Sequence, residues 1–486
     1  MRYHIILRYA AFSLLLNSFF MMISSLLSVV YSDGAFMPLF YSAVVTALFG
    51  IFPLIFIPST RTITNKEGIS IVVGSWLLSC IFGALPYILF GGVFNFTNAW
   101  FESVSGFTTT GASILTNIED IPQSLLFWRA STHWLGGIGI IIFVLSLLPF
   151  LGIEKLVLFR IEISSMAKEN FRYRARKAIQ IIAFVYVILT FAETVLLYIF
   201  GMNLFDAVTH SFATIATGGF SSKNTSIAFY NSPSIEIVII IFMILSGINF
   251  ALLFTVSKGN IREFFKSTVV KYYLSALLIG IVITSINIHS NNSINWSDSF
   301  RIAAFNIISI GTSTGFANAD TSVWPYLAKL LLIFFALQCA CAGSTSGGIK
   351  VDRIVILGKI FIAQLKKTMN PNAVISVKMD NSVIKDDHTI SILLYICMYL
   401  VIVLISTMLL SAMGVDLTSA FSGVVANMGN VGPGLGTVGS AGNYFHIPFL
   451  GKWILSIVML LGRLEIYILF IFFTRVQWSK KISYMK

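Results

Sequence analysis

The sequence predicts an all-α polytopic membrane protein, an N-terminal helical hairpin plus four helix/pore-loop/helix repeats around a central pore. Three observations carry that expectation. The 486 residues are 57% hydrophobic and 11% charged, against roughly 25% charged in a soluble domain. A glycine turn recurs at Thr108-Thr109-Thr110-Gly111, Ala216-Thr217-Gly218-Gly219, Thr312-Ser313-Thr314-Gly315 and Asn430-Val431-Gly432-Pro433, with a period of about one hundred residues, too long for a solenoid. All but six of the 32 lysines and arginines fall on alternate turns of the chain, as an excess of positive charge in cytoplasmic loops requires.

Residues 5–31 and 36–58 form the hairpin, with Ser32-Asp33-Gly34 as its outer turn. Arg2 and Arg8 resemble the basic end of a signal peptide, but the apolar run is too long and no small-residue cleavage pattern follows, so the span is read as retained. The first repeat spans 69–93, dips through 98–113 and returns over 130–152; the second uses 178–201, 206–220 and 234–257. The third uses 269–288, 298–316 and a long run over 323–365, and the fourth 388–413, 416–434 and 450–475. Ten full crossings result, with both termini cytoplasmic, and the units divide at 1–68, 69–177, 178–268, 269–387 and 388–486. The middle segments are too short to cross about 30 Å of hydrocarbon. Entering and leaving on one face also preserves the alternation of basic loops, so they are re-entrant, with Asn98, Asp206, Asp298 and Asp416 suited to cap them. As surface loops they would leave Phe212, Phe305 and Phe421 exposed.

Composition excludes other classes. Cys80, Cys339, Cys341 and Cys397 lie in apolar runs without disulfide or zinc spacing. The net charge of +12 sits in cytoplasmic loops, so it points to no nucleic acid. No His, Asp or Cys constellation marks a membrane enzyme, and four same-direction repeats argue against the inverted repeats of a secondary transporter of another solute.

The glycine turns carry the chemistry. A pore helix entering from outside aims its C-terminal carbonyl end, about half a negative charge, at the membrane centre. Four such ends make a cation site, and glycine permits the positive φ that turns successive carbonyls inward. The candidate filter residues are Thr109, Thr110 and Gly111; Ala216, Thr217 and Gly218; Ser313, Thr314 and Gly315; and Asn430, Val431 and Gly432. Potassium channels replace the hydration shell of the ion with backbone oxygens in the same way.

These residues resemble the Trk/Ktr/HKT potassium-uptake superfamily and, within it, the TrkH-type membrane subunit. The resemblance covers essentially the whole chain. It rests on the four turns, on His133-Trp134-Leu135-Gly136-Gly137-Ile138-Gly139, on Ala342-Gly343-Ser344-Thr345-Ser346-Gly347-Gly348-Ile349-Lys350 and on Gly462-Arg463. Ser313 stands where the family usually has Thr. The resemblance implies potassium as permeant ion, held by filter carbonyls, in a homodimer of the bacterial inner membrane. It further implies a cytoplasmic TrkA-type regulatory subunit that binds ATP/ADP or NAD, with no cofactor on this chain. A symporter coupled to Na+ or H+ stays open as an alternative.

After Leu337 small and polar residues interrupt an apolar helix at membrane depth, where such backbone must face water or protein. The residues alone allow a packing seam or a loop below the filter; the resemblance identifies Gly343, Ser344, Thr345, Ser346, Gly347 and Gly348 as an intramembrane gate. Arg463 lies midway along the run 450–475, where facing lipid costs several kcal/mol, so it must find a polar partner. The carbonyls of 343–348 are the first choice, an acid on another helix the second.

Basic residues crowd the loops at 153–177 and 350–388, while no nucleotide-binding motif is present. Arg172, Arg174, Arg176 and Lys177 are therefore the candidate docking site for the nucleotide-binding subunit. Neutralising these four together is expected to weaken co-purification with that subunit and uncouple flux from ATP, with ion selectivity unchanged.

Overall fold

The computed structural model describes residues 2–58, 60, 64–147, 171–292, 294–373, 375–380, 382–384 and 386–473. α1 (Tyr3–Tyr31) and α2 (Phe36–Phe56) form the hairpin. Arg2 ties the start of α1 to Glu67 at 2.8 Å, and Arg8 donates to Leu54 O and Ile57 O at the end of α2. The second basic residue thus satisfies carbonyls that the helix leaves unpaired.

The first unit contains α3 (Asn65–Gly83), α4 (Leu85–Phe90), α5 (Phe96–Phe107) and α6 (Gln123–Leu147). The second contains α7 (Phe171–Ile199), α8 (Leu204–Ile215), α9 (Pro233–Ser246) and α10 (Phe250–Ser257). After the short α11 (Ile261–Lys266) come α12 (Thr268–Asn292), α13 (Trp296–Gly311), α14 (Tyr326–Leu337) and α15 (Val351–Met369). The fourth unit contains α16 (Asp386–Ala412), α17 (Leu417–Met428), α18 (Phe449–Leu464) and α19 (Ile466–Phe473). Among the described residues strands are confined to two pairs, parallel β1 (Gln338–Cys339) with β2 (Ile349–Lys350) and antiparallel β3 (Lys378–Met379) with β4 (Ser382–Val383).

Six described helices are long and apolar enough to cross a membrane. The short middle helices α5, α8 and α17 have 12 residues each, about 18 Å at 1.5 Å per residue and so below the length of a crossing. Their N-caps differ from the expected residues in three of four cases. Asn95 accepts from Asn98 N (2.9 Å), Asn203 from Asp206 N (2.7 Å) and Asp416 from Ser419 N (2.9 Å), while Asn295 occupies the cap of α13 without such a bond. Asn98, Asp206 and Asp298 therefore lie one turn inside their helices. Asn98 instead accepts Lys452 Nζ at 2.8 Å, and Asp206 accepts Ser222 Oγ at 2.6 Å. Phe305 is buried and Phe212 half-buried, but Phe421 is 37% exposed.

Two helices expected to be continuous are broken. The run 234–257 bends by 106° between α9 and α10, and 450–475 bends by 109° between α18 and α19. Gly247 sits so close to Tyr273 that a Cβ would lie 2.3 Å from its hydroxyl. Asn249 caps α10 through the N–H groups of Ala251 and Leu252. At the second break Glu465 takes φ +62°. Arg463 consequently lies in the last turn of α18, at a helix end, and not midway along a straight helix.

Candidate functional site

Each of the four turns repeats one hydrogen-bond pattern. Thr108, Ala216, Thr312 and Gly429 close the pore helices, donating to Val104 O, Phe212 O, Ile308 O and Val425 O. Thr109, Thr217, Ser313 and Asn430 follow with φ of 51°, 54°, 59° and 53°. Next, Thr110, Gly218, Thr314 and Val431 donate to Ser105 O, Ala213 O, Ser309 O and Ala426 O. Last come Gly111, Gly219, Gly315 and Gly432, with φ of 81°, 75°, 83° and 96°. The second unit is therefore one residue out of the expected register: Ala216 is a helix end, and Thr217, Gly218 and Gly219 match Thr109, Thr110 and Gly111. Two adjacent glycines hide this in the sequence, since either could carry the positive φ that only glycine adopts freely.

Those four glycines close a ring. A Cβ on Gly111 would lie 2.1 Å from Gly218 O, on Gly219 2.0 Å from Thr314 O, on Gly315 1.9 Å from Val431 O, and on Gly432 2.5 Å from Thr110 O. Each unit thus packs its glycine on the carbonyl of the next, and the fourth returns to the first. Among the described residues Thr110 O, Gly218 O, Thr314 O and Val431 O accept no hydrogen bond. Thr108 and Thr110 hydroxyls pair at 2.8 Å, as do those of Thr312 and Thr314, and Asn430 Nδ2 donates to Thr110 Oγ1 at 2.9 Å.

α6 braces the first two turns from behind. Its Gly136 and Gly137 admit close approach: Cβ atoms there would lie 2.0 Å from Phe107 O and 2.9 Å from Ala216 Cα. Buried Arg129 pairs with buried Glu102 at 2.6 Å, donates to Ser221 O at 3.0 Å and lies over the Phe220 ring. Glu102 in turn accepts from Ser113 Oγ and Ile114 N, both at 3.0 Å. His133 stacks on Phe220 with centroids 4.0 Å apart. Sequence reasoning missed the Glu102–Arg129 pair, although Arg129 was one of six basic residues outside the cytoplasmic loops, itself a signal of an intramembrane partner.

The interrupted segment after α14 lies against the inner side of these turns. Thr345 Oγ1 donates to Ile215 O (3.0 Å), at the end of the second pore helix, and Gly347 N donates to Ser313 Oγ (3.3 Å). A Cβ on Gly347 would lie 2.2 Å from Asn430 Oδ1. Gly343 and Gly348 supply φ of 80° and 65°, and Ser344 pairs with Ser346 at 3.0 Å. Asn249, at the α9/α10 break, donates to Ala342 O at 3.0 Å, so the bend carries a residue that holds this loop. Arg463 donates through Nη1 to Thr345 O and through Nη2 to Gly136 O at 3.2 Å. It forms no ion pair among the described residues, which decides for the loop carbonyls and against an acid on another helix.

Glu465 pairs with Arg353 at 2.7 Å, linking α15 to the α18/α19 break. Residues 148–170 and the side chains of 171–178, including Arg172, Arg174, Arg176 and Lys177, lie outside the described residues.

Carbonyls that lack donors at membrane depth must face water or a cation, and a ring of four such oxygens at the ends of four pore helices favours the cation, so the fold and its ring define a membrane protein for cations. The chain belongs to the TrkH family of cation transport proteins, whose pattern it matches over residues 43–483. It is 35% identical over 494 residues to the Trk system potassium uptake protein TrkH of Escherichia coli strain K12, covering 99% of this chain and 100% of that protein. The TrkH of Halomonas elongata is 32% identical over 486 residues, with coverage of 99% and 100%. The crystal structure of the potassium transporter TrkH from Vibrio parahaemolyticus matches with a TM-score of 0.89 at 30% identity, over 99% of this chain and 100% of that one.

The corrected register is testable. Gly219→Ala drives a Cβ into a backbone oxygen and is expected to lower cation uptake into proteoliposomes about tenfold or more. Gly218→Ala meets the His133 ring first, and His133→Ala is expected to rescue it.

Proposed function

We propose that this chain takes up potassium across the membrane through a selectivity filter built from Thr109, Thr110 and Gly111, Thr217, Gly218 and Gly219, Ser313, Thr314 and Gly315, and Asn430, Val431 and Gly432. The observation that carries the reading is the closed ring in which each positive-φ glycine packs on the next unit's free carbonyl. The potassium-uptake names of relatives aligned over the whole chain agree with it.

The loop Gly343–Gly348 is the gate. It lies under the filter, and Arg463 adds a positive charge there while fastening Thr345 to α6. Release requires breaking only a few bonds, of about 1 kcal/mol each for neutral pairs and about 1.5–3 for those of the guanidinium. That sum lies within reach of a protein partner. α15 is the lever: Asp352 in its first turn accepts Ala342 N at 2.5 Å, and Arg353 holds Glu465. The reading is completed by a homodimer in the bacterial inner membrane, both termini cytoplasmic, regulated by a TrkA-type nucleotide-binding subunit at the basic loops. The charge distribution of the sequence supports that orientation.

Potassium-dependent growth of an uptake-deficient host, followed by ion replacement in proteoliposomes, tests the function and any coupling to Na+ or H+. Wild type is expected to prefer potassium and rubidium over sodium and Gly111→Ser to lose that preference; equal sodium and potassium uptake in wild type sinks the reading. Arg463→Ala is expected to raise basal rubidium flux without the regulatory subunit. Reduced flux in correctly inserted protein would assign Arg463 a structural role instead.

A further inference from the structure

The four turns differ in what happens just beyond the complete carbonyl ring. In the second unit the first carbonyl past the glycine to receive a donor is that of Ser221, from Arg129, and in the third it is Phe316 O, from Ser309 Oγ at 2.7 Å. Among the described residues Gly111 O, Gly219 O and Gly315 O accept no hydrogen bond. In the fourth unit the donor reaches the glycine itself: Tyr444 OH donates to Gly432 O at 2.7 Å.

Tyr444 is held firmly for this. It is 2% exposed, its hydroxyl accepts Asn427 Nδ2 at 3.1 Å, its backbone N donates to Ser113 O at 2.8 Å, and its ring packs on Phe101. With one hydroxyl proton and Asn427 already donating to its oxygen, the phenol has no other use for that proton.

We propose that Tyr444 is a specificity-determining positioning residue, which occupies one of the two lone pairs of the Gly432 carbonyl and so weakens it as a ligand for the permeating ion. Among the described residues, the tier outside the complete ring then offers three carbonyls without a donor and a fourth that is weakened. Coordination number and carbonyl field strength bear on the choice between potassium and sodium, and a larger, more weakly hydrated ion gains most from a fourth oxygen. Tyr444 therefore leaves the filter one tier of four undonated carbonyls and lowers ion affinity at the next. This rests on the filter reading above.

Tyr444→Phe removes the hydroxyl and preserves the ring's shape. In proteoliposomes the half-saturating potassium concentration is expected to fall about fivefold, the effect of one polar contact, and the potassium-to-sodium uptake ratio to rise. A fluorinated tyrosine at 444, a stronger donor in the same shape, is expected to move both quantities the other way and serves if Tyr444→Phe does not fold. Unchanged values in these variants, or a lower ratio in Tyr444→Phe, overturn the proposal. Gly111→Ser is run in parallel. If it shifts selectivity while Tyr444→Phe does not, only the role of Tyr444 falls; if it too has no effect, the filter reading itself has failed.

Discussion

Four backbone carbonyls, Thr110 O, Gly218 O, Thr314 O and Val431 O, stand in a ring where each is touched by a glycine of the neighbouring unit and by no donor among the described residues. Placing unpaired carbonyls at membrane depth costs several kcal/mol each unless something else satisfies them. Much of the rest of the chain follows from making that arrangement possible. Short helices that stop partway bring their negative ends to it, positive-φ glycines let the backbone turn, and the paired glycines of α6 let that helix close on the pore-helix ends. A single added methyl group at Gly111, Gly219 or Gly315 would meet a neighbouring unit's oxygen at about 2 Å, so the four units can be joined only where they lack side chains.

The buried charges are arranged to serve the same ring. Glu102 and Arg129 bind the outer legs of the first two turns to each other, and losing one member of such a buried pair costs about 3–5 kcal/mol because the other is left uncompensated. Arg301 with Glu236, 2.8 Å apart, and Asn318, which donates to Glu236 at 2.9 Å, do similar work beside the third turn. Arg463 is of another kind. Among the described residues it has no acid and depends on carbonyls of two different units, so its environment is tied to the position of the loop.

Mechanical continuity runs from α15 to this point. α15 begins directly after the loop, its first turn holds Ala342 through Asp352, and Arg353 reaches Glu465 at the bend of α18 and α19. A displacement of α15 thus acts at once on both ends of the Thr345–Arg463 contact. The loop is a two-residue parallel strand pair closed by small residues.

The sequence by itself determined the membrane class, the hairpin and the four units, because apolar length, the alternation of basic loops and a repeated glycine turn are local properties of the chain. For the interrupted segment it left a packing seam and a loop below the turns both open, and for Arg463 it made the carbonyls of 343–348 only the first choice over an acid on another helix. What it could not decide was which of two adjacent glycines, Gly218 or Gly219, takes the positive φ, for that depends on whether Thr314 O or the His133 ring lies against it. Nor could it show that α9 and α18 break, since Asn249 and Glu465 act as breakers only when the loop and Arg353 are there to receive them. The caps were misplaced by one turn for the related reason that Asn95 and Asn203 stand before apolar residues, Phe96 and Leu204, that look like loop in sequence but begin the helices. Local pattern fixed what each segment is; contacts between segments distant in the chain fixed where the backbone turns, and the ring is made of those turns.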